Sequence, residues 1–307
     1  MKNESVFIET TDKQKIFLRK HFPACEVKGI IQILHGMAEH SGRYDEFIDF
    51  LLKNGYAVYV HDMRGHGKTA GSLDEYGYLG GVFKWETLVS DARRVTEIAL
   101  YENPGKKLFI LGHSMGSMVL RRYMERFRDG YSGVILSGAN GIPSISELAA
   151  LKIALLQMLF FGKRHRSNLI YKLQYNGYNS SFNPKPTMFE WLSRDRERVD
   201  NYANDPFCGG PFTASFYFDM IFGYFRLAKP YEIKKTNTKI PIYFISGAKD
   251  PVGNFTKGVK QFASLYTRFK AKDIEINLYP DCRHEVLNEL NRKEIYKDII
   301  EWINKHN

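Results

Sequence analysis

The chain is poor in cysteine, has no long apolar run and carries no evident targeting segment, and each shortage excludes a class of protein. Cys25, Cys208 and Cys282 are odd in number and widely spaced over 307 residues. They supply neither a disulfide framework nor a zinc site, so a reducing, cytoplasmic setting is expected. The opening residues, MKNESVFIETTDKQK, lack the apolar core of a secretory signal. No stretch approaches the roughly 18 consecutive apolar residues of a membrane span. There is also no H-E-x-x-H, because "HEVLN" carries Asn288 where a second histidine ligand would stand. Neither a metal nor any other cofactor is therefore expected.

Charge is present in plenty, with a formal balance of +10. The lysines and arginines are mostly dispersed and no nucleic-acid motif accompanies them, so nucleic acid is not an expected partner.

What the chain does have is rhythm. Short apolar runs at 29–34, 56–60, 108–111, 133–137, 242–245 and 274–278 alternate with amphipathic stretches at 44–54, 85–101, 115–128, 255–269 and 292–304. That alternation predicts an α/β fold, a mostly parallel sheet with helices on both faces. Segments 5–10 and 14–19 are expected to form an antiparallel hairpin at the start. The rhythm fails between about 141 and 237, where apolar helices are predicted at 147–161 and 214–227. The expected organisation is one α/β core, 1–140 and 238–307, with 141–237 inserted as a helical cap.

The most informative stretch is "LFILGHSMGSMVL", residues 108–120. A strand that turns sharply into a helix presents one side chain at the top of the sheet, and its neighbours must be small. Gly112 and Gly116 meet that need around Ser114. The Met115 N–H, at the helix N-terminus, is expected to face a developing negative oxygen. A serine hydroxyl needs a base, and the base an orienting acid. His284 follows the last strand, and Asp250 follows the strand before it. Asp273 precedes its strand and so belongs at the other edge of the sheet. Asp281 is only three residues from His284. His35-Gly36, directly after an early strand, makes the Met37 N–H the second expected oxyanion donor.

These pieces together resemble the α/β-hydrolase superfamily, in the branch of monoacylglycerol lipases, lysophospholipases and the serine aminopeptidase S33 group. The similarity runs through six ordered blocks: "HGMAEHSGRY" (35–44), "HDMRGHGKTAG" (61–71), "GHSMGS" (112–117), "NDPFCGGPFT" (204–213), "SGAKDPVG" (246–253) and "RHEVLNE" (283–289). The resemblance implies Ser114 as nucleophile, His284 as base and Asp250 as its orienter, with Met37 and Met115 forming the oxyanion hole. It also implies a helical cap after the sixth strand. A small residue is common after His-Gly in the family, so Met37 is expected to narrow the acyl pocket.

The reaction so implied is hydrolysis of a lipid ester, a monoacylglycerol or lysophospholipid, through an acyl-enzyme. Short-chain esterase, aminopeptidase and acyltransferase activity use the same triad and stay open. So does a non-enzymatic ligand sensor on the same fold. Leu155, Phe160, Phe218 and Phe222 are expected to line an acyl pocket, and Glu39 and Arg43 to meet a polar headgroup. The apolar helix at 147–161, followed by Lys163-Arg164-His165-Arg166, is expected to touch a membrane surface transiently.

Overall fold

A computed structural model describes residues 2–307. The chain opens with an antiparallel hairpin of β1 (Lys2–Glu9) and β2 (Lys15–Phe22). There follow β3 (Gly29–Leu34), α1 (Asp45–Lys53), β4 (Tyr56–His61), α2 (Gly67–Ala70) and α3 (Trp85–Glu102). Next come β5 (Leu108–His113), α4 (Met115–Arg126) and β6 (Gly133–Ser137). Between β6 and the next strand lie α5 (Ile145–Phe161), α6 (Asn168–Asn179), α7 (Arg196–Asn204), α8 (Ala214–Leu227) and α9 (Pro230–Ile233). The chain closes with β7 (Ile242–Gly247), α10 (Lys257–Arg268), β8 (Ile274–Tyr279) and α11 (Arg292–His306).

The strands form one sheet in the order β1-β2-β4-β3-β5-β6-β7-β8. Only the β1–β2 and β2–β4 pairings are antiparallel. The central strands read as apolar runs because both faces are covered. In β3, Ile30 and Leu34 enter one core with Val95 of α3, Val119 of α4 and Phe262 of α10. Ile31 and Ile33 point the other way, into a core with Phe47 of α1 and Ile299 of α11. Full burial of each such side chain contributes roughly 1.5–3 kcal/mol. At the edge, β1 alternates exposed and half-buried residues and carries Lys2 and Glu4, which discourages pairing with another chain.

The segment between β6 and β7 is more helical than its apolar periodicity predicts. Four of its helices start at residues that satisfy an orphan N–H: Ser144, Ser167, Asp195 and Thr213. Ser144 and Glu147 form a complete capping box. Helices α6 and α7 escape the apolar pattern because their faces are polar and aromatic. Together with their loops they enclose a small core of Tyr175, Trp191, Leu192, Val199 and Tyr202. Helix α5 is apolar for another reason than burial. Ala154 is its sole buried residue, and Phe160 is 77% exposed. Among the described residues no helix is long and apolar enough to cross a membrane.

Candidate active site

Ser114 sits between β5 and α4 with φ 50° and ψ −117°, a backbone that a non-glycine residue adopts only under constraint. The constraint is visible on either side. A Cβ on Gly112 would lie 2.5 Å from the Gly116 carbonyl oxygen, and one on Gly116 would lie 2.1 Å from that of Leu34. The two glycines let α4 press against β5 and the end of β3, and the turn is held in its strained form. The Ser114 N–H donates to the Ser137 carbonyl at 2.9 Å, tying the turn to β6.

Asp250 and His284 come from the loops after β7 and β8, and the structure brings them together. His284 Nδ1 lies 2.9 Å from Asp250 Oδ2. Asp250 is fully buried, and its oxygens also accept from Ser246 Oγ at 3.3 Å and Val252 N–H at 2.8 Å. With Nδ1–H facing the carboxylate, Nε2 is left as the acceptor, which is the tautomer a base requires. Nε2 is buried and has no hydrogen-bond partner among the described residues. Nucleophile and base often join only when substrate arrives. Burial opposes charge on His284, but the Asp250 charge and hydrogen bond outweigh it, so its pKa is raised.

The oxyanion donors named from the sequence flank this group. The N–H groups of Met37 and Met115 donate to no other described residue, and both methionines line the cavity beside Ser114. His35 determines which way the first of them points. Its Nε2 accepts from the Met63 N–H at 2.8 Å, so Nδ1 carries the proton and donates to the Gly36 carbonyl at 2.8 Å. A trans peptide sets its N–H opposite its C=O. Fixing the Gly36 oxygen therefore fixes the Met37 N–H.

Glu39 and Arg43, expected to meet a headgroup, do not line the cavity, and both are buried or nearly so. Glu39 accepts from the Gly36 N–H at 2.5 Å and the Tyr44 hydroxyl at 2.8 Å. Arg43 bridges Glu39 at 2.9 Å and Glu285 at 2.5 and 2.8 Å. Burial raises the Glu285 pKa, but the Arg43 charge and hydrogen bonds outweigh it and hold the carboxyl low.

The cavity at Ser114 measures about 700 Å³. Leu155, Phe160, Phe218 and Phe222 do not line it. Leu155, Phe160 and Phe222 are exposed, and Phe218 stacks on Phe222 with ring centres 6.0 Å apart, against Phe83. Much of the apolar lining comes from other positions on the same helices, as Ala149, Ala150, Ile153, Met220, Ile221 and Tyr224, while Phe160 shares the face of Ile153 but lies two turns further along. Periodicity could not choose a face on helices apolar nearly all round.

Two features of the site were missed in the sequence. Trp191 lies against the His284 ring at 5.0 Å, and its carbonyl accepts the His284 N–H at 3.2 Å. A lone tryptophan in a loop gives no periodic signal. Asn140, after β6, lines the cavity.

Ligand atoms of His40, Asp205 and Cys208, and of Asp273, Glu275 and His306, come within 4.8 Å of one another. In each group the histidine already bonds the aspartate, at 2.9 and 3.0 Å. None of these residues lines the cavity.

The chain is 27% identical to a monoacylglycerol lipase of Mycolicibacterium smegmatis over 285 residues, 92% of this chain and 91% of that one. It is 24% identical to human monoglyceride lipase over 297 residues, 96% of this chain and 88% of the relative. A crystal structure of a thermostable carboxyl esterase from Bacillus coagulans, in complex with glycerol, superposes with a TM-score of 0.89. It shares 28% identity and covers 100% of this chain and 99% of its own. The family model described as serine aminopeptidase, S33, matches residues 25–291, a span that takes in all three strand-end loops. The chain therefore belongs to the serine aminopeptidase S33 family of α/β hydrolases, in its monoglyceride-lipase-like branch.

Proposed function

We propose that the chain hydrolyses carboxylic esters of lipids, with a monoacylglycerol or lysophospholipid as substrate. The observation that carries this reading is the free Nε2 of a carboxylate-oriented histidine together with a strained serine on a large, mainly apolar cavity. Ser114 Oγ attacks the ester carbonyl while His284 Nε2 takes its proton. The Met37 and Met115 N–H groups stabilise the tetrahedral oxyanion. As the C–O bond breaks, His284 returns that proton to the departing alcohol. Water, deprotonated by the same Nε2, then attacks the acyl-serine and releases the fatty acid and free Ser114. The names of the relatives support the substrate class.

Residues 141–237 act as a cap in this reading, since their helices supply the apolar lining. Ile145, Leu148, Leu155, Leu156 and Leu159 leave an apolar stripe on the outside of α5, with exposed Phe160 and Phe161 at its end and Lys152 and Lys163 nearby. Such a face suits contact with a lipid surface, apolar side down and ammonium groups at the headgroups.

An aminopeptidase would need a free carboxylate for the substrate amine. Glu147 lines the cavity, and its Oε2 accepts from the Ser144 N–H at 2.8 Å while no cation pairs with it among the described residues. Glu190 is paired with Arg196 at 2.7 Å, and Asp205 with His40 at 2.9 Å. The ester reading is favoured by the names of the relatives, which are lipases.

The test is hydrolysis of 1-monoacylglycerols of graded chain length, with Ser114→Ala as the blank. Activity that rises to medium or long chains and vanishes in the blank is expected. Cleavage of the shortest esters alone would overturn the lipid assignment.

A further inference from the structure

Helix α4 carries an arginine that the triad does not use. Arg121 is fully buried and its guanidinium lies 3.9 Å over the Phe262 ring. No carboxylate forms an ion pair with it among the described residues. Its hydrogen bonds go instead to the Ser117 carbonyl at 3.3 Å, the Asn140 carbonyl at 3.5 Å and the side-chain Oδ1 of Asn140. A buried guanidinium without an acid is costly, and here its donors are spent on Ser117 and Asn140.

Those donors decide how the Asn140 amide is turned. A guanidinium has donors and no acceptor, so only the carbonyl end of an amide can face it. Nδ2 is thereby forced the other way, and it makes no hydrogen bond within the described residues, while Asn140 is half-buried and lines the cavity. The neighbouring residues point to the part of a substrate it would meet. Asn140 stands three positions after Ser137, whose carbonyl holds the Ser114 N–H. Gly138, with φ 56°, packs so tightly on the base that a Cβ there would come within 3.0 Å of the His284 ring. Since His284 protonates the departing alcohol, groups beside its ring lie on the alcohol side of the ester.

From this geometry we infer that Asn140, held by Arg121, is a specificity-determining donor that recognises an acceptor oxygen on the alcohol portion of the substrate. The inference rests on the ester-hydrolase reading above. The oxygen belongs to a glycerol hydroxyl or to the phosphate of a lysophospholipid, and the two are separable by one substitution. In Asn140→Asp the carboxylate still pairs with Arg121, but its second oxygen can only accept. A hydroxyl can reverse and donate to it, whereas a phosphate is repelled.

The experiment compares kcat/KM for 1-lauroyl glycerol, lauroyl lysophosphatidylcholine and methyl laurate, in the wild-type protein, Asn140→Ala and Asn140→Asp. All three esters share one acyl chain, and methyl laurate has no further alcohol-side oxygen. Thermal melting accompanies each variant, because Asn140→Ala leaves Arg121 donors without their acceptor. The recognised ester is expected to fall about tenfold against methyl laurate in Asn140→Ala, chiefly through KM. Recovery of the glycerol ester in Asn140→Asp identifies a hydroxyl; a further fall of the phospholipid identifies a phosphate. Equal loss on all three esters in both variants overturns the inference and leaves the hydrolase reading standing. Wild-type protein that cleaves none of the three overturns both.

Discussion

Arg43 joins the turn that carries Met37 to the loop that carries His284, through a two-point ion pair with Glu285, although 242 residues separate the partners. Both halves of the candidate catalytic machinery are thus fastened to one guanidinium. Arg43→Ala strands Glu39 and Glu285 as buried carboxylates, and a loss of about 3–5 kcal/mol is expected in urea denaturation. Glu285→Gln keeps the shape and removes one charge, so it is expected to cost less.

The strain at Ser114 predicts a divergence between stability and activity. Ser114→Gly removes the Cβ from a φ of 50° and is expected to stabilise the fold by about 1 kcal/mol while abolishing turnover. Ser114→Ala loses turnover without that gain. Thermal melting alongside an ester assay distinguishes them.

His284 must be neutral to accept a proton, and Asp250 raises its pKa above the ordinary 6.5. The acid limb of kcat/KM is therefore expected above pH 6.5, with activity rising as pH passes the raised pKa. Asp250→Asn removes the raising charge and leaves burial, so the limb moves to lower pH. Activity falls about 10⁴-fold at the same time, because the proton loses its fixed seat on Nδ1. A pH–rate profile of the two proteins checks both shifts.

His35 touches no substrate in this scheme, yet it orients the Gly36–Met37 peptide. His35→Phe frees that peptide and is expected to lower kcat by about 10²–10³, the cost of one oxyanion donor, with little change in KM. A packing defect alone would lower the melting temperature without that split.

Why some of this was legible in the sequence is a matter of where the partners lie. The strands of the parallel sheet are covered on both faces, so β3, β4, β5, β6 and β7 read as apolar runs. The turn at Ser114 was legible because Gly112, Ser114 and Gly116 fall within five consecutive residues and Gly112 answers to Gly116 itself, although Gly116 answers to distant Leu34. Glu39 and Arg43 looked like a polar loop, since nothing near them in the chain points to Glu285. The side of α5 that lines the cavity was hidden by apolar residues on its other side. Asn140 gave no signal because Arg121, which turns it, sits on a different element.

The candidate nucleophile Ser114 rests on β5 in the middle of the sheet, whereas the candidate base His284 follows β8, a half-buried strand at the open edge. Edge strands open locally at a lower free energy than central ones. When β8 frays, His284 is lost from the site while Ser114 stays in its strained turn. Inactivation then precedes global unfolding, and a warmed or mildly denatured sample contains molecules that are folded at the centre, silent towards esters, and able to regain activity when the last strand zips back.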